Sequence, residues 1–387
     1  MRFADIRGNS RVIDALRRMV DSGRVPHAIM FHENEGGGAL AIVQAFLQYL
    51  NCGNRTGGPD MFGGIQKADS CGVCPSCNQI SKLIHPDVHY TFPVSSGSLV
   101  GGEVSKITCS QYASYWRDLV VKNPYFIEDE LNTALGLEKK AAVISLAEAK
   151  EITRKLSMAT MSGGFRAIVV YLPEKMNTQT ANFLLKSLEE PEDGTIFLLI
   201  THAPEDVLQT ISSRCLPIRL SPLSEGEVSQ VLQEQFSVDP PQADEAAALA
   251  GGSVGEALYQ LSEQKEREVM TRLFADLMDR IVARDLGGAL DVGEDLAALD
   301  SREKQKAFCT FAGACLRRIF MLQQKMDGIS GVPPAEELFY RRLTTSLKPS
   351  FCRNSMEWLA RSSRMLERNV NQKMVFCNLV SRMFVSA

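Results

Sequence analysis

Three cysteines within seven residues form the densest group of metal-binding side chains in the sequence. The run CGVCPSC places Cys71, Cys74 and Cys77 in two overlapping C-x-x-C units, and Cys52 lies upstream of them. Four thiolates close a tetrahedral structural Zn²⁺ site and leave no open position for catalysis. A redox dithiol and unrelated buried thiols are the alternatives, but a redox pair does not need a third and fourth cysteine. The spacing therefore predicts a structural zinc module over residues 52–80.

The fourth ligand of this site has more than one candidate. Cys52 is separated from Cys71 by a long stretch rich in Gly, Asn and Pro. Cys109, His85 and His89 also carry thiol or imidazole groups that Zn²⁺ accepts. His85, in the sequence His-Pro-Asp, is more typical of a turn before a strand. We assign Cys52 as the fourth ligand and keep the other three as alternatives.

A glycine-rich turn is the second feature that could do chemistry. It follows AIMFH, a predicted short strand from Ala28 to His32, and it opens a predicted helix. This is the context of a phosphate-binding loop, because the N-terminal amides of the helix point at the phosphates. The candidate loop glycines are Gly36, Gly37 and Gly38.

The side chains that a phosphate-binding loop needs are missing from this turn. The Lys-Ser/Thr pair that holds the β- and γ-phosphates and Mg²⁺ is replaced by Gly38, Ala39 and Leu40. Glu33 and Glu35 add negative charge where it would repel phosphate. The sequence therefore predicts the shape of such a loop without its nucleotide chemistry.

An arginine that precedes a short apolar segment is the third candidate. An unbroken apolar run, Thr195–Thr201, predicts a strand covered on both faces of a parallel sheet and ending on a hydroxyl. A short helix is predicted to open near Pro204, and Arg214 then precedes a strand, Leu216–Leu220, which we expect to be buried. A lone arginine most often pairs with a local carboxylate, which is the alternative to a functional role.

Composition limits the class of protein. The 387 residues suffice for two or three domains, and the sequence contains no apolar run as long as a membrane helix and no apolar signal-peptide core. We therefore expect a cytoplasmic protein. We expect its ten cysteines to bind metal or to be buried as thiols, and not to form disulfides. A net charge of −4 is poor support for an autonomous nucleic-acid-binding protein.

The order of motifs between residues 188 and 215 resembles that of the AAA+ clamp-loader subunits. LEEP is followed by an apolar strand ending in Thr201 and then by P-E-x-x-x-x-T-I-x-S-R-C. The resemblance implies an α/β fold, an AAA+ P-loop-type parallel sheet domain with a zinc-binding insert. It also implies that Thr201 is at the sensor 1 position and that Arg214 is an arginine finger acting in trans on a neighbouring subunit's ATP site.

Two further motifs of the family have lost their functional residues in this chain. The predicted strand Phe165–Leu172 is followed by Pro173 and Glu174, where an active member carries the Asp-Glu pair that holds Mg²⁺. The segment LAGGSVGEAL resembles the sensor 2 motif, with Glu256 in place of the arginine that touches the γ-phosphate. The resemblance therefore implies that this chain does not hydrolyse ATP. It also implies that Glu174 is what remains of the Asp-Glu pair.

The resemblance implies three domains, and one insertion in the first of them departs from the family pattern. An aromatic-rich insertion between residues 93 and 140 does not fit the family pattern, and we predict a small helical insertion that covers one side of the sheet. Helical periodicity in the last part would equally suit a self-contained bundle. The predicted domains are an AAA+-like domain at 1–222, a helical lid at 223–262 and a helical collar at 263–387.

The resemblance implies a non-hydrolysing subunit of the bacterial DNA polymerase III clamp loader, which loads the sliding clamp onto primed DNA. Its implied partners are the gamma/tau ATPase and delta subunits and, indirectly, the sliding clamp and primer-template DNA, with no membrane. An active AAA+ ATPase motor subunit is one alternative, and it predicts ATP hydrolysis by the isolated chain. A zinc-ribbon nucleic-acid-binding protein is the other, and it predicts salt-dependent DNA binding.

Overall fold

The computed structural model describes residues 1–59, 65–137, 140–326 and 336–387. The predicted zinc module, insertion and collar therefore lie partly outside the described residues, at 60–64, 138–139 and 327–335. The chain divides into two compact units, Met1–Leu261 and Ser262–Ala387. Within the described ranges, no helix has the length and apolar character needed to cross a membrane.

The first unit is built on a five-stranded sheet in which all neighbouring strands are parallel. The strands are β1 Ala28–His32, β2 Thr56–Pro59, β3 Ile65–Asp69, β4 Val88–Thr91, β5 Arg166–Tyr171, β6 Thr195–Thr201 and β7 Leu216–Arg219. The order in the sheet is β4-β5-β6-β1-β7, and β2 and β3 form a separate antiparallel pair in the predicted zinc module.

The central strand is β6, which is buried at all seven positions, as its apolar run predicts. Its last residue, Thr201, lies opposite His32 at the end of β1. The expectation that the last strand is buried was wrong, because β7 is an edge strand whose residues are mostly exposed. Pro217 within it fits an edge, since proline cannot donate a ladder hydrogen bond. The helix expected near Pro204 begins only at Gln209.

Helices cover both faces of this sheet. The helices before β7 are α1 Ser10–Asp21, α2 Ala39–Asn51, α3 Pro75–Ser81, α4 Ala113–Lys122, α5 Glu128–Ala134, α6 Leu146–Leu156, α7 Thr178–Glu189 and α8 Gln209–Ser212. Phe31, Val169 and Leu198 belong to a core shared with α1, α2 and the insertion. Neighbouring residues on the same strands point the opposite way, into a core shared with α6 and α7.

The insertion is helical and covers the sheet, as predicted, through α4 and α5. Trp116 on α4 stacks on Phe92 with ring centroids 4.2 Å apart, and it also contacts the rings of Phe126 and Tyr171. Tyr125 and Phe126 do not continue the helix, because they lie in the connection between α4 and α5. This connection reaches the glycine-rich loop.

The remaining helices of the first unit follow the sheet. They are α9 Glu225–Phe236, α10 Pro240–Leu249 and α11 Val254–Val282, and the boundary between the two units falls within α11. Ser224 and Glu227 form a capping box at the start of α9, with reciprocal side-chain and backbone hydrogen bonds. α9 and α10 pack with the start of α11 around small and branched apolar residues such as Val228, Val231 and Ala246.

The second unit is all helical in its described residues. Its core contains Phe308, Cys315 and Ile319 of one helix, packed with Phe351 and Phe376 of later helices. The helices after α11 are α12 Leu286–Ala297, α13 Arg302–Gln323, α14 Glu337–Ser346, α15 Pro349–Glu367 and α16 Gln372–Ser386.

Candidate functional site

The glycine-rich turn connects strand β1 to helix α2. β1 ends at His32, and α2 begins at Ala39 with Gly38 as its N-cap residue. Gly38 has φ +102°, a conformation that residues with a side chain rarely adopt, and an added Cβ would lie 2.8 Å from Cε1 of Tyr125. Glycine is therefore required where the loop enters the helix.

The carboxylate of Glu33 lies at the N-terminus of α2. Its Oε2 accepts a hydrogen bond from the backbone N–H of Ala39 at 2.6 Å, and the side chain is only 5% exposed. A helix N-terminus attracts anions because its first N–H groups lack partners and the helix dipole is positive there. In a phosphate-binding loop these groups serve the phosphates. Here the chain supplies its own anion.

His202 and Glu174 lie beside this carboxylate. Nε2 of His202 is 3.7 Å from Oε1 of Glu33, and the backbone N–H of His202 donates to Oε1 of Glu174 at 3.1 Å. Burial disfavours the protonated imidazole, but the nearby carboxylates of Glu33, Glu35 and Glu174 outweigh that effect and raise the pKa of His202. When His202 is protonated, its charge balances the negative charge of Glu33 from within the chain.

Thr201, which the resemblance places at the sensor 1 position, is fully buried beside Glu33. Its carbonyl accepts from the backbone N–H of Glu33 at 3.2 Å, and its Oγ1 accepts from the backbone N–H of Ala203 at 3.2 Å. The hydroxyl therefore serves the local backbone where the chain leaves β6.

The segment that resembles sensor 2 packs directly onto the loop. Oγ of Ser253 donates to the carbonyl of Glu35 at 2.7 Å, and the backbone N–H of Gly255 donates to the carbonyl of Gly36 at 3.1 Å. Glu256 accepts a hydrogen bond from Nε2 of Gln260 on its own helix at 2.8 Å. The loop backbone is therefore hydrogen-bonded to this segment, and Glu256 has a partner there.

Arg214 lies just after α8, and its partners are local. Nη1 donates to the carbonyl of Thr210 at 2.8 Å, and Nη2 pairs with Oε1 of Glu189 at the end of α7. The side chains of Arg214 and Glu189 are 34% and 46% exposed. The local pairing that the sequence offers as an alternative is present in this chain. An exposed pair of this kind contributes only about 0.2–1 kcal/mol, so Arg214 can exchange its partner at little cost.

The four cysteines that the sequence predicts as zinc ligands come together. The Sγ atoms of Cys52, Cys71, Cys74 and Cys77 all lie within 4.8 Å of one another. Tetrahedral Zn²⁺ with Zn–S distances of about 2.3 Å needs sulfur atoms roughly 3.8 Å apart, so the group fits this ion with little adjustment. The backbone N–H of Cys71 donates to Sγ of Cys52, and that of Cys74 to Sγ of Cys71, both at 3.3 Å. Such donors stabilise thiolates.

The alternative zinc ligands do not join the cluster of Cys71, Cys74 and Cys77 in the part of the chain that the structure describes. Sγ of Cys109 donates to the carbonyl of Phe92 at 3.1 Å, and Nδ1 of His85 accepts from the backbone N–H of Asp87 at 3.2 Å. His89 lies on β4, where it pairs in register with Ile168. Among the described residues, Cys52 is therefore the side chain that joins the other three thiols.

Two residues of the site were missed by sequence reasoning. His202 directly follows the carboxyl end of β6, a position where parallel sheets present functional side chains, and that signal could have identified it. Tyr125 belongs to the aromatic run of the insertion, and its type and spacing indicate only burial. Its contact with Gly38 joins parts of the chain that are distant in sequence, so no local pattern predicts it.

Comparison with known proteins identifies the family of this chain. A family model described as "DNA polymerase III, delta subunit" matches residues 8–224. The delta' subunit of DNA polymerase III from Escherichia coli (strain K12) is 26% identical over 256 residues, which cover 66% of this chain and 60% of that protein. The tau/gamma subunit from Haemophilus influenzae is 25% identical over 285 residues, which cover 71% of this chain and 33% of that protein.

The match to these curated relatives is partial in length, since the chain spans between a third and three-fifths of each. Among solved structures, a DNA polymerase III gamma subunit-related protein from Thermotoga maritima is 15% identical, with 97% of this chain and 99% of that one covered. Its TM-score of 0.33 is too low to carry an argument. The family model, in contrast, matches more than half of the residues, and on that ground the chain belongs to the DNA polymerase III delta subunit family of clamp-loader proteins.

Proposed function

We propose that this chain is a non-hydrolysing, delta-prime-type subunit of the DNA polymerase III clamp loader. The observation that carries the proposal is the carboxylate of Glu33 on the backbone N–H of Ala39, at the place where a phosphate-binding loop holds phosphate. A phosphate entering the loop would meet a buried negative charge and no lysine. The subunit would therefore act on nucleotide held by a neighbour.

Three losses in the chain's own site support this proposal. The Lys-Ser/Thr pair of the loop is absent, Pro173 and Glu174 stand where the Mg²⁺-binding pair is expected, and Glu256 replaces the sensor 2 arginine. Each group would contribute to binding phosphate or to stabilising charge in the transition state. One loss could be compensated by another residue, but three together leave no route to hydrolysis.

Arg214 is proposed to act as an arginine finger in a neighbouring subunit's ATP site. A guanidinium placed against the γ-phosphate stabilises charge that develops in the transition state, and such residues accelerate hydrolysis by about 10³ to 10⁵. The exposure of Arg214 and its weak pairing with Glu189 support this role, because the side chain can leave Glu189 when a stronger anion is presented.

The four clustered cysteines are proposed to hold one structural Zn²⁺. Their mutual Sγ distances, all within 4.8 Å, and the two N–H···S hydrogen bonds fit a closed four-thiolate site. Zinc in such a site contributes folding free energy on the order of 10 kcal/mol. The ion would hold α3 to the end of α2, since Cys77 lies on α3 and Cys52 is the C-cap residue of α2.

The proposed partners follow from the family. Gamma/tau ATPase and delta subunits would contact this chain, with residues 263–387 as the collar, and the sliding clamp and primer-template DNA would be reached through the assembled loader. Residues 223–262 would form the lid, and the cytoplasm would be the site of action. The all-helical second unit supports the collar assignment without identifying its contact face.

Calorimetric titration of the isolated chain with Mg²⁺-ATP tests the non-hydrolysing proposal. We expect no saturable heat at micromolar nucleotide, because the loop already contains a carboxylate at its anion position. A gamma/tau ATPase titrated under the same conditions serves as the positive control. A saturable isotherm with one nucleotide per chain would overturn the proposal.

A further inference from the structure

We propose that the insertion takes the structural place of a nucleotide, tying the lid helices to the glycine-rich loop. The residues that do this form the closing segment, Tyr125–Glu128, which follows α4 and ends on the first residue of α5. By the resemblance, the phosphates of an active relative lie between the loop and the sensor 2 segment. In this chain the closing segment lies against both of them.

Two adjacent aromatic residues attach the closing segment to different cores. Phe126 packs in the sheet core, with its ring 5.5 Å from Trp116 and 5.3 Å from Tyr171. Tyr125 belongs instead to the core of the lid helices and makes an edge-to-face contact with Phe236 of α9 at 6.2 Å. Both side chains are at least 97% buried. The segment therefore connects the two cores directly.

The backbone of the closing segment is in close contact with the sensor 2 segment. A Cβ built on Gly255 would lie 2.0 Å from the carbonyl oxygen of Tyr125 and 3.1 Å from Cγ2 of Ile127. The ring of Tyr125 also covers Gly38 on the loop side. Glycine at 38 and at 255 thus allows one tyrosine to lie between the loop and the lid.

Polar contacts at the other end of the segment hold it to the remains of the nucleotide site. The backbone N–H of Glu128 donates to Oε1 of Glu35 on the loop. The carboxylate of Glu128 pairs with Lys175, which follows β5, at 2.8 Å. In an active relative, the glycine-rich loop and the end of β5 meet through Mg²⁺ and phosphate. In this chain Glu128, a residue of the insertion, joins them.

The N-terminal segment makes separate contacts with the lid. These contacts should remain when the contacts of the closing segment are removed. Arg7 pairs with Glu234 at 2.6 Å, and Nε2 of Gln235 donates to the carbonyl of Asp5 at 2.8 Å. Loss of the closing segment should therefore loosen the lid without detaching it. The effect should be largest at residues 249–258, which face the loop.

Hydrogen exchange of the full-length chain, followed by mass spectrometry, tests this proposal. Tyr125→Ala should increase exchange of the lid peptides 225–236 and 249–258 by at least about tenfold, since removing a buried aromatic ring costs several kcal/mol. Tyr115→Ala is the matched control, because Tyr115 lies in the same insertion but is 37% exposed. It should leave lid exchange unchanged.

A second variant approaches the same contact from the lid. Gly255→Ala introduces a methyl group against the carbonyl of Tyr125 without removing any part of the insertion, so it should also increase exchange at 249–258. Unchanged lid exchange in both Tyr125→Ala and Gly255→Ala would overturn the proposal. An effect of ATP on lid exchange in the wild-type chain would also overturn the proposal, because the loop would then hold a nucleotide. The proposed arginine finger is tested separately, since neither variant alters Arg214.

Discussion

Oε2 of Glu33 lies 2.6 Å from the backbone nitrogen of Ala39, so the N-terminus of α2 is capped by a carboxylate from the preceding loop. The same carboxylate lies 3.7 Å from His202, which follows the central strand. A phosphate loop usually leaves these amides free for its ligand. In this chain the amide of Ala39 is satisfied by a side chain of the loop itself.

Glu33→Ala should destabilise the chain without creating a nucleotide site. The substitution removes the acceptor for the Ala39 N–H, and loss of a helix cap costs about 0.5–2 kcal/mol. The free energy of unfolding from urea titration measures this change. Glu33→Gln retains an acceptor oxygen, so its free energy of unfolding should fall less than that of Glu33→Ala. Micromolar ATP affinity in Glu33→Ala would contradict the argument that the missing lysine is also required.

The zinc proposal predicts one Zn²⁺ per chain by elemental analysis. Cys77→Ser should lose the metal and lower the thermal midpoint, because it removes a fully buried ligand. Cys377→Ser is the control, since Cys377 is exposed and outside the cluster, and it should keep full zinc content. A metal-free protein that stays folded with four reactive thiols in the module would exclude a structural zinc.

His202 should make stability depend on pH near neutrality. Because the carboxylates of Glu33, Glu35 and Glu174 raise its pKa above the usual value of about 6.5, protonation stabilises the folded state. That contribution is fully present below about pH 6.5 and disappears as pH rises through the folded-state pKa. The difference in unfolding free energy between wild type and His202→Gln should therefore shrink from pH 6 to pH 8.

Titration of the His202 ring by NMR measures this pKa directly. Glu33→Gln removes the charge at 3.7 Å and should lower it. A pKa of His202 below that of an unstructured histidine in the wild-type chain would show that burial dominates. The pH-dependent stabilisation would then be absent.

The sequence predicts those parts of the fold that local pattern controls. The run TIFLLIT identifies the central strand because a strand covered on both faces must be apolar at every position. Ser224 and Glu227 identify the start of α9 because a capping box is satisfied within three residues. The spacing of Cys71, Cys74 and Cys77 likewise predicts their proximity.

The parts that were missed depend on contacts between distant segments. Glu128 and Glu35, whose hydrogen bond closes the loop, are 93 residues apart, and neither has a pattern that refers to the other. The exposure of β7 depends on its place at the edge of the sheet, which the apolar residues Leu216 and Ile218 do not reveal. Repulsion of phosphate by Glu33 was expected, whereas its hydrogen bond to Ala39 required the backbone geometry of the loop.

Two variants serve as controls for the proposed role of Arg214. Arg214→Lys keeps the charge but loses the planar fork that matches phosphate oxygens, so it should behave more like Arg214→Ala than like wild type. Glu189→Gln weakens the local partner of Arg214 and should not reduce hydrolysis by the assembled complex. All three variants alter exposed positions, and their folding should match wild type by circular dichroism.

The measurement that tests the account most directly is the DNA-stimulated ATPase rate of a complex reconstituted from this chain with its proposed gamma/tau and delta partners. With Arg214→Ala, the complex should assemble normally, and hydrolysis at the site facing Arg214 should fall by about 10³-fold or more. The total rate should then drop to that of the remaining sites. An unchanged rate in a fully assembled Arg214→Ala complex would contradict the claim that this subunit acts on its neighbour's ATP.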